Sequence, residues 1–150
     1  LLLFNNVPEE HILYTNCDSE ISRIPEGESV YNYLRDFFVE SYSTEKIYVL
    51  FVTSDNTKKS WGAITEIGAS WITQIDSKIF NIVPFRPEHP LDDNTQWHST
   101  NRDTDEQIWM NRLNADIFCQ KIESVCLNLG YAKKSRSENM SYLNTIVQIR

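Results

Sequence analysis

Residues that break regular structure are scarce here: the 150 residues include only 4 Gly and 5 Pro. That excludes a collagen-like or low-complexity chain, and an apolar fraction of 41% excludes a disordered one. No apolar run approaches the ~20 residues needed to span a bilayer. The opening Leu1-Leu2-Leu3-Phe4 is too short for a secretory signal and lacks the basic flank and cleavage site of one. Basic residues are outnumbered 14 to 21, for a net charge of −7, so neither nucleic acid nor an anionic membrane is expected as a partner. Cysteine is sparse and odd in number: Cys17, Cys119 and Cys126. The last two fall two turns apart on one helix face, ~10.5 Å along the axis, which is too far for a disulfide. With no Cys-x-x-Cys and no Cys/His cluster, no metal is expected, and free, buried thiols fit a reducing cytoplasm. Neither a G-x-G-x-x-G nor a G-x-x-x-x-G-K-[ST] run occurs, so neither a Rossmann dinucleotide site nor a P-loop is indicated. No serine or cysteine has a partnered histidine, which leaves a hydrolase triad unsupported.

What is present reads as one domain in which strands and helices alternate. His11 to Thr15 is a short apolar run of strand length, and residues 17–27 are polar and turn-rich. A helix follows from about Pro25, with Val30, Leu34, Phe37 and Phe38 along one side. Ile47 to Val52 is apolar without alternation, as in a strand buried on both faces of a parallel sheet. The next helix is expected over 60–74, with Trp61, Ile64, Gly68, Trp71, Ile72 and Ile75 as its apolar stripe, and a strand over 79–83 is stopped by Pro84. Residues 85–103 form a long polar loop. Thr104 to Gln107 has capping-box form, so a closing helix is expected from there to Gly130, whose lack of a side chain suits a helix terminator. The last ten residues lean to a short helix. The order predicts a doubly wound α/β sheet, with ligands outside the carboxyl ends of its strands, near residues 15–17, 53–55 and 83–85.

One stretch is more specific. A buried strand leads into Thr53-Ser54-Asp55-Asn56, then into a helix carrying Glu66-Ile67-Gly68-Ala69-Ser70-Trp71, then into a strand ending in Pro84. Upstream, Ile12 to Cys17 is followed by Ile24-Pro25-Glu26-Gly27-Glu28-Ser29. This pair of motifs resembles the bacterial TIR (Toll/interleukin-1 receptor) domains over residues 7–90, and 104–130 only as a generic closing helix. The resemblance implies a flavodoxin-like doubly wound parallel sheet. The family's first strand and most of its first helix have no counterpart here, Leu1 to Val7 matching only that helix's end. The chain 1–150 is therefore expected to be one N-terminally incomplete TIR-like domain, closed by helices within 104–150, and a piece of a longer polypeptide. A second departure is that Trp61 stands five residues before Glu66, where NAD-cleaving relatives carry an aromatic four before.

The resemblance further implies an NAD+ nucleosidase of the glycohydrolase or cyclase type, serving bacterial immune signalling or anti-phage defence in the cytoplasm. NAD, or a related nucleotide, would be substrate rather than cofactor, and the chain would self-associate through TIR–TIR contacts. Glu66 would be the catalytic carboxylate. Breaking the nicotinamide–ribose bond develops oxocarbenium-like charge that a fixed carboxylate stabilises, while nicotinamide leaves neutral and needs no strong acid. The helical wheel sets Glu66 almost opposite the apolar stripe, so it faces either a pocket rim or water. Thr15 and Asn16 lie at a strand's carboxyl end, Arg23 could meet a pyrophosphate from the loop, and Ser54 and Ser60 could contact a nucleotide. For Ser60 a helix cap is favoured. Trp61 could stack on a base, but it begins the stripe, so core packing is favoured. Two alternatives stand beside the enzyme: a non-catalytic TIR assembly module, and a nucleoside 2-deoxyribosyltransferase-like enzyme that also sets a glutamate at a ribose carbon.

Overall fold

The computed structural model describes residues 1–14, 24–25, 27, 29–41, 47–54, 56–72, 76–82, 99–102 and 107–150. Four helices and five strands occur among them. In chain order they are α1 (Val30–Ser41), β1 (Tyr48–Thr53), α2 (Trp61–Ile72), β2 (Asp76–Ile82), β3 (Ser99–Arg102), β4 (Ile108–Met110), α3 (Arg112–Asn128), α4 (Arg136–Ile146) and β5 (Gln148–Ile149).

The strands hydrogen-bond in the order β1-β2-β3-β4-β5. β1 and β2 run parallel with Tyr48 opposite Asp76 and Thr53 opposite Asn81. β2 and β3 are parallel, β3 and β4 antiparallel, and β4 and β5 parallel again. The described sheet is therefore mixed. The uncharged, β-branched and aromatic run 48–52 makes β1 as expected, but not a strand buried on both faces: residues 48–51 are only half-buried and Val52 is exposed.

Three expectations need correction. The strand expected at 11–15 begins instead as a 3-10 turn, Glu9–His11, in which the His11 and Ile12 amides bond back to the carbonyls of Pro8 and Glu9. Pro8, fixed near φ −60°, starts that turn, and only a single bridge at Tyr14 follows it; Thr15 lies outside the described residues. The closing helix does not begin near Thr104. Ile108 to Met110 form β4, paired on both sides, and α3 starts after Asn111, whose side chain accepts from the Asn114 amide at 2.8 Å. The capping-box run at 104–107 lies largely outside the described residues, as does most of the long loop; β3 falls within that loop's expected span. Gly130 does close α3, at φ +83°, with the Tyr131 amide reaching back to the Cys126 carbonyl at 2.8 Å. The final ten residues hold the end of α4 and then β5.

Most of the described buried apolar residues gather in two clusters that share Leu1 and Phe118. Val7, Ile122 and Cys126 pack with Ile12 and Leu50, and Met110, Ala115, Cys119 and Leu143 pack with Met140, Val147 and Ile149. Cys119 and Cys126 are free and fully buried on one face of α3, as their spacing predicts, and burial pushes the Cys119 thiol up to about 11.

A buried polar network ties the N-terminal turn to both C-terminal helices. The Asn5 side chain donates to Asn139 Oδ1 at 2.7 Å and accepts from the Lys134 amide at 2.7 Å. Asn139 donates in turn to Glu123 at 3.3 Å. Arg136 grips Glu123 through Nε at 2.7 Å and Nη2 at 3.1 Å, and extends Nη1 to Asp116 at 2.9 Å. Ser135 and Glu138 form a reciprocal capping box that starts α4.

Candidate active site

Glu66 sits in the second turn of α2, thirteen residues past Thr53 at the carboxyl end of β1. Local chemistry fixes where that helix starts. The Ser54 amide donates to Thr57 Oγ1 at 2.9 Å, and the Thr57 amide returns to the Ser54 carbonyl at 2.9 Å. This tight turn leads into a 3-10 turn, Thr57–Lys59. Ser60 then caps α2: its Oγ accepts from the Ala63 amide at 3.3 Å and its carbonyl from the Ile64 amide at 3.1 Å. Of the two readings of Ser60, the cap is the one its contacts support. Ser54, half-buried, spends its backbone on the turn.

The rotation of α2 differs from the expected one. Trp61 is 84% exposed and Ile72 74%, with Ile64 also in water, whereas Ile67 and Ser70 are buried. Trp61, Ile64 and Ile72 of the expected stripe therefore face outward, and core packing for Trp61 is overturned; Ile75 lies outside the described residues. Ala63, Ile67 and Ser70 form the inward side, small or slender residues that let a helix lie close to its support. At 100° per residue the inward side of α2 includes position 66.

Glu66 is accordingly half-buried. Loss of water around its carboxyl group raises its pKa above the usual glutamate value. A carboxylate in that state is poorly solvated and is stabilised by any cation placed beside it. It is thus suited to face developing positive charge, and unlike Glu123 it makes no ion pair among the described residues.

Around it the structure brings together less than the sequence reading names. Thr15, Asn16 and Arg23 lie outside the described residues. Trp61 projects into solvent on the side of α2 away from Glu66. The hydroxyl of Thr53, buried at the carboxyl end of β1, has no hydrogen-bond partner among the described residues. Two surface grooves lie elsewhere. One of about 690 Å³ between α3 and α4 is lined by Arg112, Leu113, Asp116, Arg136, Met140 and the serines of α4. The other runs past Phe4 and Tyr142, whose rings stack at 4.3 Å. Neither reaches Glu66. No cluster of three or more potential metal ligands occurs among the described residues. Nor is any helix among them long and apolar enough to cross a membrane.

Sequence reading missed the Asn5–Asn139–Glu123–Arg136 network entirely. Its one legible trace is Ser135-x-x-Glu138, a capping box that marks the start of α4. Comparison with protein-family models, with curated proteins and with solved structures finds no match.

Proposed function

We propose that the chain is a TIR-type NAD+ glycohydrolase or cyclase that cleaves the nicotinamide–ribose bond, with Glu66 as the carboxylate at the reacting sugar. The observation that carries this reading is the half-buried Glu66 side chain with its raised pKa, on the inward side of the helix that follows the carboxyl end of β1. The flavodoxin-like arrangement, the cytoplasmic setting, the role in bacterial immune signalling and the contacts of Thr15, Asn16, Arg23 and Ser54 with nucleotide belong to the same proposal.

In this reading the bond from ribose C1′ to the nicotinamide ring nitrogen breaks, and its electron pair leaves with nicotinamide as a neutral molecule. Positive charge then spreads over C1′ and the ring oxygen, and the Glu66 carboxylate stabilises it electrostatically. Water, or a nitrogen of the adenine in a cyclising enzyme, bonds to C1′ and loses a proton to solvent. No metal or further cofactor takes part. A non-catalytic TIR assembly module is the second reading, favoured by the outward Trp61, Ile64 and Ile72.

The test is incubation of the protein with NAD, at low and high protein concentration, with nicotinamide measured by chromatography. The proposal expects steady nicotinamide release, and loss of it by at least about 100-fold, the lower end of what removing one preorganised electrostatic group costs, in Glu66→Gln. Absence of release at every concentration, or equal release by Glu66→Gln, contradicts it. Base release from deoxynucleosides, with NAD left intact, would indicate the 2-deoxyribosyltransferase alternative.

A further inference from the structure

We infer that Thr53 is the residue by which this site reads a hydroxyl group on its ligand's sugar, the one next to the reacting carbon. The inference rests on the proposed role of Glu66 and adds a specificity-determining residue beside it. Its starting point is an orphaned group. The Thr53 side chain is 1% exposed, and its hydroxyl has no hydrogen-bond partner among the described residues. A buried hydroxyl left unpaired has lost its hydration and gained nothing in return. Valine has the same shape and no such penalty, so the oxygen is accounted for by a state other than the resting one.

Position says which state. Thr53 ends β1, at the carboxyl edge where parallel strands present ligands. Leu50 packs with Val7, Ile122 and Cys126, so alternation along the strand sets Thr53 on the opposite face. That face belongs to α2, whose inward Ile67 is buried but joins neither of the clusters built on α3. The chain reverses through the Ser54–Thr57 turn, so α2 runs back along β1 from its carboxyl end. Glu66 comes ~7.5 Å along the helix from Trp61, about two strand residues below that edge. Helical side chains lean toward the amino end, which carries the Glu66 carboxyl back up toward Thr53.

The two groups are halves of one contact. A hydroxyl both donates and accepts, whereas an ionised carboxylate only accepts. A ligand hydroxyl between them accepts from Thr53 Oγ1 and donates to the Glu66 carboxylate, which satisfies the orphan. In the proposed reaction Glu66 stands at ribose C1′, and the hydroxyl adjacent to C1′ is the 2′-hydroxyl. The ligand is thereby a riboside and not a 2′-deoxyriboside, against the deoxyribosyltransferase alternative. The Thr53 oxygen is covered at rest, so the sugar gains it as the start of α2 shifts outward. That end of the helix is lightly held: Trp61 is in water and the Ser60 cap spans 3.3 Å.

The test compares NAD with its analogue lacking the 2′-hydroxyl on the nicotinamide-bearing ribose, in the parent, Thr53→Val and Thr53→Ser. Nicotinamide release gives kcat/KM. Calorimetry with nicotinamide riboside and its 2′-deoxy counterpart gives binding that needs no turnover. Thr53→Val should lower kcat/KM for NAD and affinity for the riboside about tenfold, the scale of one uncharged hydrogen bond, and should move the deoxy compounds less than about twofold. Thr53→Ser should keep the preference for the hydroxylated sugar. Thr53→Val should melt no lower than the parent, because its hydroxyl makes no bond at rest. A change equal for both sugars, or no change, overturns the inference, as does failure to bind either riboside. Hydroxyl-dependent binding that Thr53→Val removes, with no nicotinamide released, sustains the role of Thr53 and contradicts the enzyme. Nicotinamide release indifferent to Thr53→Val does the reverse.

Discussion

The two halves of this molecule solve the burial problem differently. The N-terminal turn, α3, α4 and the short strands β4 and β5 share two apolar clusters, stitched by a polar network in which Asn5, Asn139 and Glu123 are all buried and all bonded. The α1–β1–α2 region buries only Leu34, Thr53, Ile67 and Ser70 among its described residues; both regions leave apolar side chains in water, Leu3, Leu113, Leu127 and Ile146 in the first, Val39, Val52, Trp61, Ile64 and Ile72 in the second. Most of the described buried core lies in the first. The second holds its carboxylate inward and its hydrophobic stripe outward, an arrangement that costs stability and is characteristic of a surface with work to do.

The contrast makes graded predictions. Leu143 is 3% exposed and packs against Met110, Ala115 and Cys119, so Leu143→Ala should cost about 3 kcal/mol, read as a lower midpoint in urea unfolding. Arg136→Ala would leave the 6%-exposed Glu123 with only Lys133 and Asn139 as partners. Discounted for the part of Arg136 still in water, the loss should be about 2 kcal/mol by the same measurement. A midpoint unmoved by either change would dissolve the distinction between the halves.

A pH series sharpens it. Burial pushes the Glu123 carboxyl up, but hydrogen bonds from Arg136 and Asn139 and the charges of Arg136 and Lys133 outweigh this and hold it below the ordinary glutamate value. The stability it contributes is fully present above the unfolded-state pKa of about 4.3 and is lost as pH falls through the lower folded value. Glu66 has the opposite sign. Its raised pKa favours the protonated form, so its contribution is present below about pH 4.3 and disappears as pH rises through the folded value. Glu66→Gln should therefore melt at the same or a slightly higher temperature than the parent at pH 7, with the difference vanishing in acid.

Much of the fold's outline is legible in the residues. The uninterrupted apolar run at 47–52 announces β1, and Ser60 ahead of a 3.6-residue periodicity announces α2, each within a residue or two of the structure at its start. Gly130 marks the end of α3 because few other residues accept φ +83°. Three features are not legible. The rotation of α2 goes against its apolar stripe, because periodicity reports which face is greasy and not which face the rest of the chain covers. β4 is three residues long, too short for any period, and its Ile108 is easily counted into the apolar spacing of the helix that follows. The Asn5–Asn139 contact joins residues 134 positions apart, and nothing local in either asparagine signals it. Of the site, the Ser60 cap is readable from spacing; Glu66 is singled out by its TIR-like motif, since periodicity only sets it opposite the apolar stripe, and the outward turn of Trp61 is not readable at all.

The account depends on the inward orientation of Glu66, and titration of that side chain's carboxyl carbon by NMR measures it most directly. A midpoint above the ordinary glutamate value of ~4.3 is the result expected. A midpoint at or below that value would mean that the carboxylate stands in water or is already paired, and that α2 is turned the other way.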